Sequence, residues 1–254
     1  MQAHTQWING IMTHPKILII LPALNEAGNI VKTVTRIRAS VPDADILVIN
    51  DGSTDDTQAQ ASAAGAIVLT MPYNVGIGAA VQTGFKFAAK HQYQFVARLD
   101  GDGQHSADNI SQLLKLVIDG TVDVAIGSRF LGDGNDYGTS FMRRVGIAIL
   151  SNLLSMITHQ KVTDPTSGFS AYNRRAITLF ADYYPHDYPE PEAVVICHKS
   201  GLTMREIPAT FLDREHGESQ FTVPTRSAYY MIKVTLAILV NTLRHIPRVP
   251  LTEN

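Results

Sequence analysis

The chain has one cysteine among its 254 residues, no dominant basic run and no apolar stretch long enough to span a membrane. Cys197 alone cannot form an intrachain disulfide, so a reducing compartment is the natural assignment. Its valine-rich surroundings suit a buried structural thiol better than a nucleophile. A spanning helix needs about 20 uninterrupted apolar residues; Tyr229–Leu243 comes closest and falls short. The first fifteen residues hold Trp7 and two histidines without a long apolar core, which fits neither a signal peptide nor a span. Met12 is an alternative start, and the expected location is the cytoplasm or the inner face of the cell membrane. A net charge of −2 without a basic patch speaks against nucleic acid as a partner.

What the chain does have is 45% hydrophobic residues, enough for one large α/β domain with a substantial core. Two smaller domains are the less favoured division. Lys16–Leu21, Ile46–Asn50, Ile67–Met71, Phe95–Leu99 and Val122–Ile126 are short continuous apolar runs of the kind that make buried parallel strands. Helical stretches at Asn29–Ala39, Asp55–Ala64, Ile77–His91 and Asn109–Asp119 lie between them. The alternation predicts a doubly wound, mostly parallel sheet flanked by helices, with ligands beyond the carboxyl ends of the strands. The later half is less regular. It reads as a helix at Phe141–Thr158, a strand at Ser170–Tyr172, helices at Ala176–Ala181 and up to Lys199, and a strand at Leu202–Ile207.

Polar clusters follow the strand-like runs: Pro22-Ala-Leu-Asn25-Glu26, Asp51-Gly-Ser53-Thr-Asp55 and Asp100-Gly-Asp102. Residues two apart on a strand project together. Asp100 and Asp102 therefore offer two carboxylates to a divalent cation that completes its shell with water and substrate phosphates. Asp-Gly is also common turn vocabulary. A calcium-loop reading fails, because His105 replaces the required glycine and Ser111 the final glutamate. Ser53 or Thr54 can cap the following helix. Gly76-Ile-Gly78 lacks the third glycine and the first-strand context of a dinucleotide site.

Leu21-Pro-Ala-Leu-Asn25-Glu26, Val48-Ile-Asn-Asp51-Gly-Ser-Thr-Asp55, Asn74-Val-Gly-Ile-Gly78 and Leu99-Asp100-Gly-Asp102-Gly-Gln104-His105 occur in that order. Together they resemble the inverting glycosyltransferases of family 2 with the GT-A fold, over roughly residues 15–220. Gly127-Ser-Arg129-Phe, Asp164-Pro-Thr-Ser-Gly168-Phe and Arg214-Glu-His-Gly217-Glu-Ser219 look most like polyprenyl-phosphate sugar synthases of the dolichyl-phosphate mannose synthase type. The resemblance implies that Pro22, Ala23, Asn25, Glu26 and Asp51 surround the donor base and ribose. Asp100 and Asp102 would meet the diphosphate through Mg2+ or Mn2+, and Gln104 would lie beside the sugar. Arg129, Arg143, Arg144 and Arg214, with Ser219, would bind phosphate oxygens, since a guanidinium fork matches them in pairs. Arg143 and Arg144 also read as a solvated helix face.

A phosphate acceptor is already ionised near neutral pH and needs no base, whereas a hydroxyl does. Glu190 and Glu192 sit near where hydroxyl-directed relatives carry a base, and they equally suit the first turn of a helix after prolines. Asp164-Pro-Thr-Ser-Gly168 divides between a tight turn and an acceptor-side loop. The expected organisation is an extension over residues 1–14, a catalytic unit over 15–222, and an amphipathic helix with a tail over 223–254. In Ser227–His245, Lys233, Asn241 and Arg244 group in one sector, opposite Met231, Ile232, Leu236, Ile238, Leu239 and Leu243. That helix would dock on the core, on a partner protein or on a bilayer. The expected activity is hexosyl or N-acetylhexosaminyl transfer from a nucleoside-diphosphate sugar to a polyprenyl phosphate. Transfer to a polysaccharide hydroxyl and a non-catalytic nucleotide-sugar-binding subunit are the alternatives. The membrane partner and a homo-oligomer are left open.

Overall fold

The computed structural model describes residues 6–8, 11–13, 15–100, 107–131, 141–210 and 224–250. A short antiparallel pair, β1 (Gln6–Ile8) and β2 (Ile11–Thr13), precedes the main fold, where the sequence gives no strand signal. Then follow β3 (Ile17–Ala23), α1 (Ile30–Ser40), β4 (Asp45–Asn50), α2 (Thr57–Ala63), β5 (Ile67–Thr70), α3 (Ile77–Lys90), β6 (Phe95–Arg98), α4 (Ala107–Ile118) and β7 (Val124–Ser128). The second half contributes α5 (Phe141–Thr158), β8 (Ser170–Tyr172), α6 (Arg174–Asp182), α7 (Pro189–Lys199), β9 (Met204–Pro208) and α8 (Pro224–Leu243).

Among the described residues, seven strands form one sheet in the order β5-β4-β3-β6-β8-β7-β9. All neighbours run parallel except β8, which is antiparallel to both β6 and β7. The apolar runs become strands because both their faces are covered. Every residue of β3 is buried, and apolar layers pack above and below the sheet. One layer contains Phe85, Tyr172, Phe180 and Tyr184, whose rings contact edge-on or tilted at 5.0–5.6 Å between centroids. Cys197 is buried in the same layer, and burial pushes its thiol well above the ordinary value.

Strand order reverses at β3, whose neighbours are β4 and β6. Pairing of β3 with β6 stops at Ile20–Arg98, while pairing with β4 continues to Ala23–Asn50. A crevice opens where the strands part, which is where ligands of such sheets bind. Pro22 lies beyond the β6 ladder, so its missing N–H breaks no bond on that side. The antiparallel β8 has its own consequence: its incoming loop, Asp164–Phe169, arrives at the edge where β6 and β7 end.

Three local expectations change. β6 ends at Arg98, one residue short of the expected run Phe95–Leu99, so Asp100 stands two residues past the strand. Neither Ser53 nor Thr54 caps α2. The N-cap position falls to Asp56, which makes no side-chain cap bond, while Asp55 before it accepts from Thr57 N at 3.0 Å and Ser53 and Thr54 are engaged by Asn25 across the loop. The third concerns α8. It packs through Val234, Ile238 and Asn241 against α5 and α7, burying Asn241, which was expected on the polar sector. Its amide donates to Glu192 on α7, which is why a polar residue can face inward. Ile232, Leu236, Leu239 and Leu243 consequently point to solvent, Leu243 at 88% exposure.

Candidate active site

The loops after β3, β4 and β5 are stitched together by side chain to backbone bonds. Asn25, with φ 55°, donates its N–H to Ser53 Oγ at 2.9 Å and accepts Thr54 N–H on its side-chain oxygen at 2.9 Å. Glu26 N–H reaches Thr57 Oγ1 at 2.8 Å, and Ala27 N–H reaches Asp55 Oδ2 at 3.1 Å. Asp51 is buried and accepts from Val75 N at 2.7 Å and Gly76 N at 3.0 Å. Gly52 makes this closure possible. Its φ is +71°, and a Cβ there would stand 2.6 Å from the Asn74 nitrogen. Pro22 and Ala23 form the buried floor of this wall, and Asn25 is exposed at its rim.

Across the crevice, Asp100 presents a carboxylate whose side chain is 40% exposed. Beneath it lies Arg98, 2% exposed. Its Nη1 donates to Tyr184 Oη at 2.9 Å, and its Nη2 donates to Glu190 Oε1 at 2.6 Å and stands 3.7 Å from Asp100 Oδ1. Burial opposes the charge on Arg98. Tyr184, Glu190 and Asp100 outweigh that and hold its pKa well above the ordinary value. The cost of burying the ion is thus met by direct partners.

A second guanidinium adjoins the first group. Arg129 donates from Nε to Asp164 Oδ2 and from Nη2 to Asp164 Oδ1, both at 2.7 Å, and from Nη2 to Thr166 Oγ1 at 2.7 Å. Burial works against its charge too, and Asp164, with Asp100 and Glu190 nearby, raises it above the ordinary value. Glu206 on β9 accepts from Thr163 N and Asp164 N and so locks the Asp164 loop. That loop crosses directly over Asp100. A Cβ on Gly168 would lie 3.0 Å from Asp100 Oδ1 and 3.2 Å from Arg98 Nη2.

Asp100, Glu190, Arg129 and Asp164 therefore meet at one sheet edge, opposite Asn25, Glu26 and Asp51. Glu192 does not join them. Both glutamates occupy the first turn of α7, but Glu192 is buried, bonded to Asn241 and Tyr188 N–H, and desolvation raises its pKa. Arg144 is on the exposed face of α5, and the side chain of Arg143 is not described. Asp102, Gln104, His105, Arg214 and Ser219 lie outside the described residues. Sequence reasoning passed over Arg98, Tyr184 and Glu206. The available signal was Arg98 itself, a lone charge within the apolar run Phe95–Leu99, because a buried polar residue is the informative exception. The cavity beside it, about 20 Å³ and bordered by Arg98, Glu190, Tyr184 and Cys197, has room for about one water and none for a sugar.

Among the described residues, no three histidines, cysteines or carboxylates gather into a closed metal cage. The half-open Asp100 suits a magnesium- or manganese-type ion, which takes few carboxylates and leaves positions for water and phosphate oxygens.

The description Glycosyl transferase family 2 matches residues 18–180 of the chain. The chain belongs to that family. It is 29% identical over 82% of its length to polyprenol monophosphomannose synthase of Mycolicibacterium smegmatis, covering 81% of that protein. It is 30% identical over 82% of its length to undecaprenyl-phosphate mannosyltransferase of Micrococcus luteus, covering 88% of it. Glucosyl-3-phosphoglycerate synthase from Mycobacterium tuberculosis, in complex with phosphoglyceric acid, superposes with a TM-score of 0.69 at 22% identity. That match covers 92% of this chain and 81% of the other. The same enzyme solved with Mn2+, UDP and glucosyl-3-phosphoglycerate gives a TM-score of 0.68 at 21% identity. These likenesses establish the GT-A fold, and the family makes the protein a glycosyltransferase. No helix among the described residues is long and apolar enough to cross a membrane.

Proposed function

We propose that the protein transfers a sugar from a nucleoside diphosphate (UDP, GDP or dTDP) to a polyprenyl phosphate, with inversion and with Mg2+ or Mn2+. The observation that carries this reading is the meeting of Asp100 with the Arg129–Asp164 pair at the crevice where β3 and β6 part. The named lipid-phosphate relatives support the acceptor class. Asn25, Glu26 and Asp51 form the wall for the nucleoside, and Asp100, with Asp102, would hold the cation. When bound, that ion neutralises charge developing on the leaving diphosphate.

The acceptor phosphate oxygen attacks the anomeric carbon on the face opposite the leaving group. As that bond forms, the bond from the anomeric carbon to the diphosphate oxygen breaks, and the electron pair leaves with the nucleoside diphosphate. Arg129, fixed in orientation by Asp164, presents a guanidinium to the phosphates, with Arg143, Arg144, Arg214 and Ser219 completing the anion-binding side. No proton has to be removed from an ionised phosphate. Glu190 is bonded to Arg98, and Glu192 is turned to Asn241. Neither is needed as a base.

Peripheral attachment to the inner face of the membrane belongs to the same reading. α8 and the tail, from residue 223 on, would add to a catalytic unit over 15–222. Exposed Val145, Ile149 and Met156 on α5 and Ile232, Leu236, Leu239 and Leu243 on α8 make two apolar stripes, and Gly146 of α5 abuts Met231 of α8. Neither helix carries an acidic residue, while Arg143, Arg144, Arg226 and Lys233 do carry positive charge. This composition complements an anionic bilayer and disfavours self-pairing.

A panel of labelled nucleotide sugars, incubated with purified protein, polyprenyl phosphate and metal, with a chelator control, tests the reading. A lipid-soluble, acid-labile product from one donor, abolished by the chelator, is expected. Product confined to polysaccharide, and lost in E190A, would establish the hydroxyl-transfer alternative instead. Donor binding without transfer to any membrane extract would leave only a binding subunit.

A further inference from the structure

Arg98 calls for an explanation that stability does not provide. Exchanging a buried ion pair for apolar residues of similar volume is often neutral or stabilising, and Arg98 sits in an otherwise apolar strand. Its Nε is buried with no hydrogen-bond partner among the described residues, so within them even this well-paired guanidinium is incompletely satisfied. What it does achieve is geometric. A single nitrogen, Nη2, stands 2.6 Å from Glu190 and 3.7 Å from Asp100, two carboxylates from separate segments, one partly buried and one half-open. Tyr184 fixes the other arm of the fork, and the backbone at Gly168 closes over Asp100 from above.

We propose that Arg98 is a positioning residue that couples the cation side of the site to the acceptor side, by setting where the carboxylates of Asp100 and Glu190 stand and how much negative charge Asp100 presents. The proposal rests on the assignment of Asp100 to the cation. Charge balance gives it a signature with two signs. With Glu190 neutralised, the guanidinium acts on Asp100 alone, and a cation is held less tightly. With Arg98 neutralised, Asp100 attracts a cation more strongly but loses the support that aims it, so binding improves while turnover falls. A purely structural role moves both quantities the same way or neither.

The test is Mn2+ binding without donor, followed by electron paramagnetic resonance, together with kcat and donor KM, in the parent, R98M, E190Q, D100N and the double variant R98M/E190M. We expect E190Q to weaken manganese binding roughly threefold and R98M to tighten it by a similar factor, from the Coulomb effect of one charge a few ångströms away. R98M should lower kcat on the order of 100-fold, as for a misplaced reacting group. Its donor KM should move less than about threefold, since the loss is felt in the transition state. The double variant removes both charges and guards against misfolding of R98M; it should bind manganese like the parent and turn over as slowly as R98M. Manganese binding that D100N leaves unchanged overturns the assignment of Asp100, and the coupling with it. Binding weakened in D100N but equal in the parent, E190Q and whichever Arg98 variants fold overturns the coupling alone when the double variant also keeps the parental kcat.

Discussion

Replacing Gly168 by alanine probes the site through one methyl group. The added Cβ would stand 3.0 and 3.1 Å from the two Asp100 oxygens and 3.2 Å from Arg98 Nη2. Comfortable contact begins near 3.5 Å, so the carboxylate must retreat by roughly 0.3–0.5 Å. Gly168 does not have a positive φ, so its backbone accepts alanine without strain. If a displacement of 1 Å costs about 100-fold in rate, this one lowers kcat by about four- to tenfold. The assay is steady-state transfer at saturating metal and donor, beside thermal unfolding. A matched control is G127A, where the Cβ meets the Phe169 ring at 2.7 Å and the Ala209 Cβ at 2.8 Å. Overpacking there should cost about 1–3 kcal/mol of stability. Parental kcat in a folded G168A, or a loss of stability equal to that of G127A, would refute the claim that this loop aims Asp100.

Three further outcomes are expected. D164N removes the charge that holds Arg129 from a side chain with 0% exposure, and should destabilise the fold by about 3 kcal/mol in denaturant titration. Transfer should fall further than the folded fraction does. E192Q keeps an acceptor for Asn241 without a buried charge. The folded pKa of Glu192 is raised above its ordinary 4.5, so the stability linked to its protonation is full below that pH and lost as pH rises through the folded value. Melting at pH 7.5 should therefore rise in E192Q and converge with the parent near pH 4. The triple variant I149Q/L236Q/L243Q alters exposed positions only and should keep the parental melting temperature. It should lose cosedimentation with anionic vesicles; unchanged sedimentation would remove the bilayer role of α5 and α8.

Much of the first half was legible because buried parallel strands must be apolar throughout, so Ile17–Ala23 and Asp45–Asn50 show themselves as runs, with helices between. Strand ends are legible too, since a chain leaving a buried strand needs polar and glycine residues to turn. Asn25, Asp51 and Asp100 appear there. Two things were not legible. The face of α8 was misread because periodicity shows that a helix has two sides and not which one is covered; Glu192 decided that by offering Asn241 a buried partner. The support beneath the site was missed because Arg98 lies 92 residues from Glu190, and Gly168 meets Asp100 only after β8 enters the sheet antiparallel.

By itself, then, the sequence determined the layers of the fold, the edge at which the chemistry gathers and the family, all of which depend on local pattern and order. Only the tertiary structure decided which carboxylates share a guanidinium, which glutamate faces the crevice and which helix face remains open. Those are questions of distance between segments far apart in the chain, and charge pairing and burial act through distance.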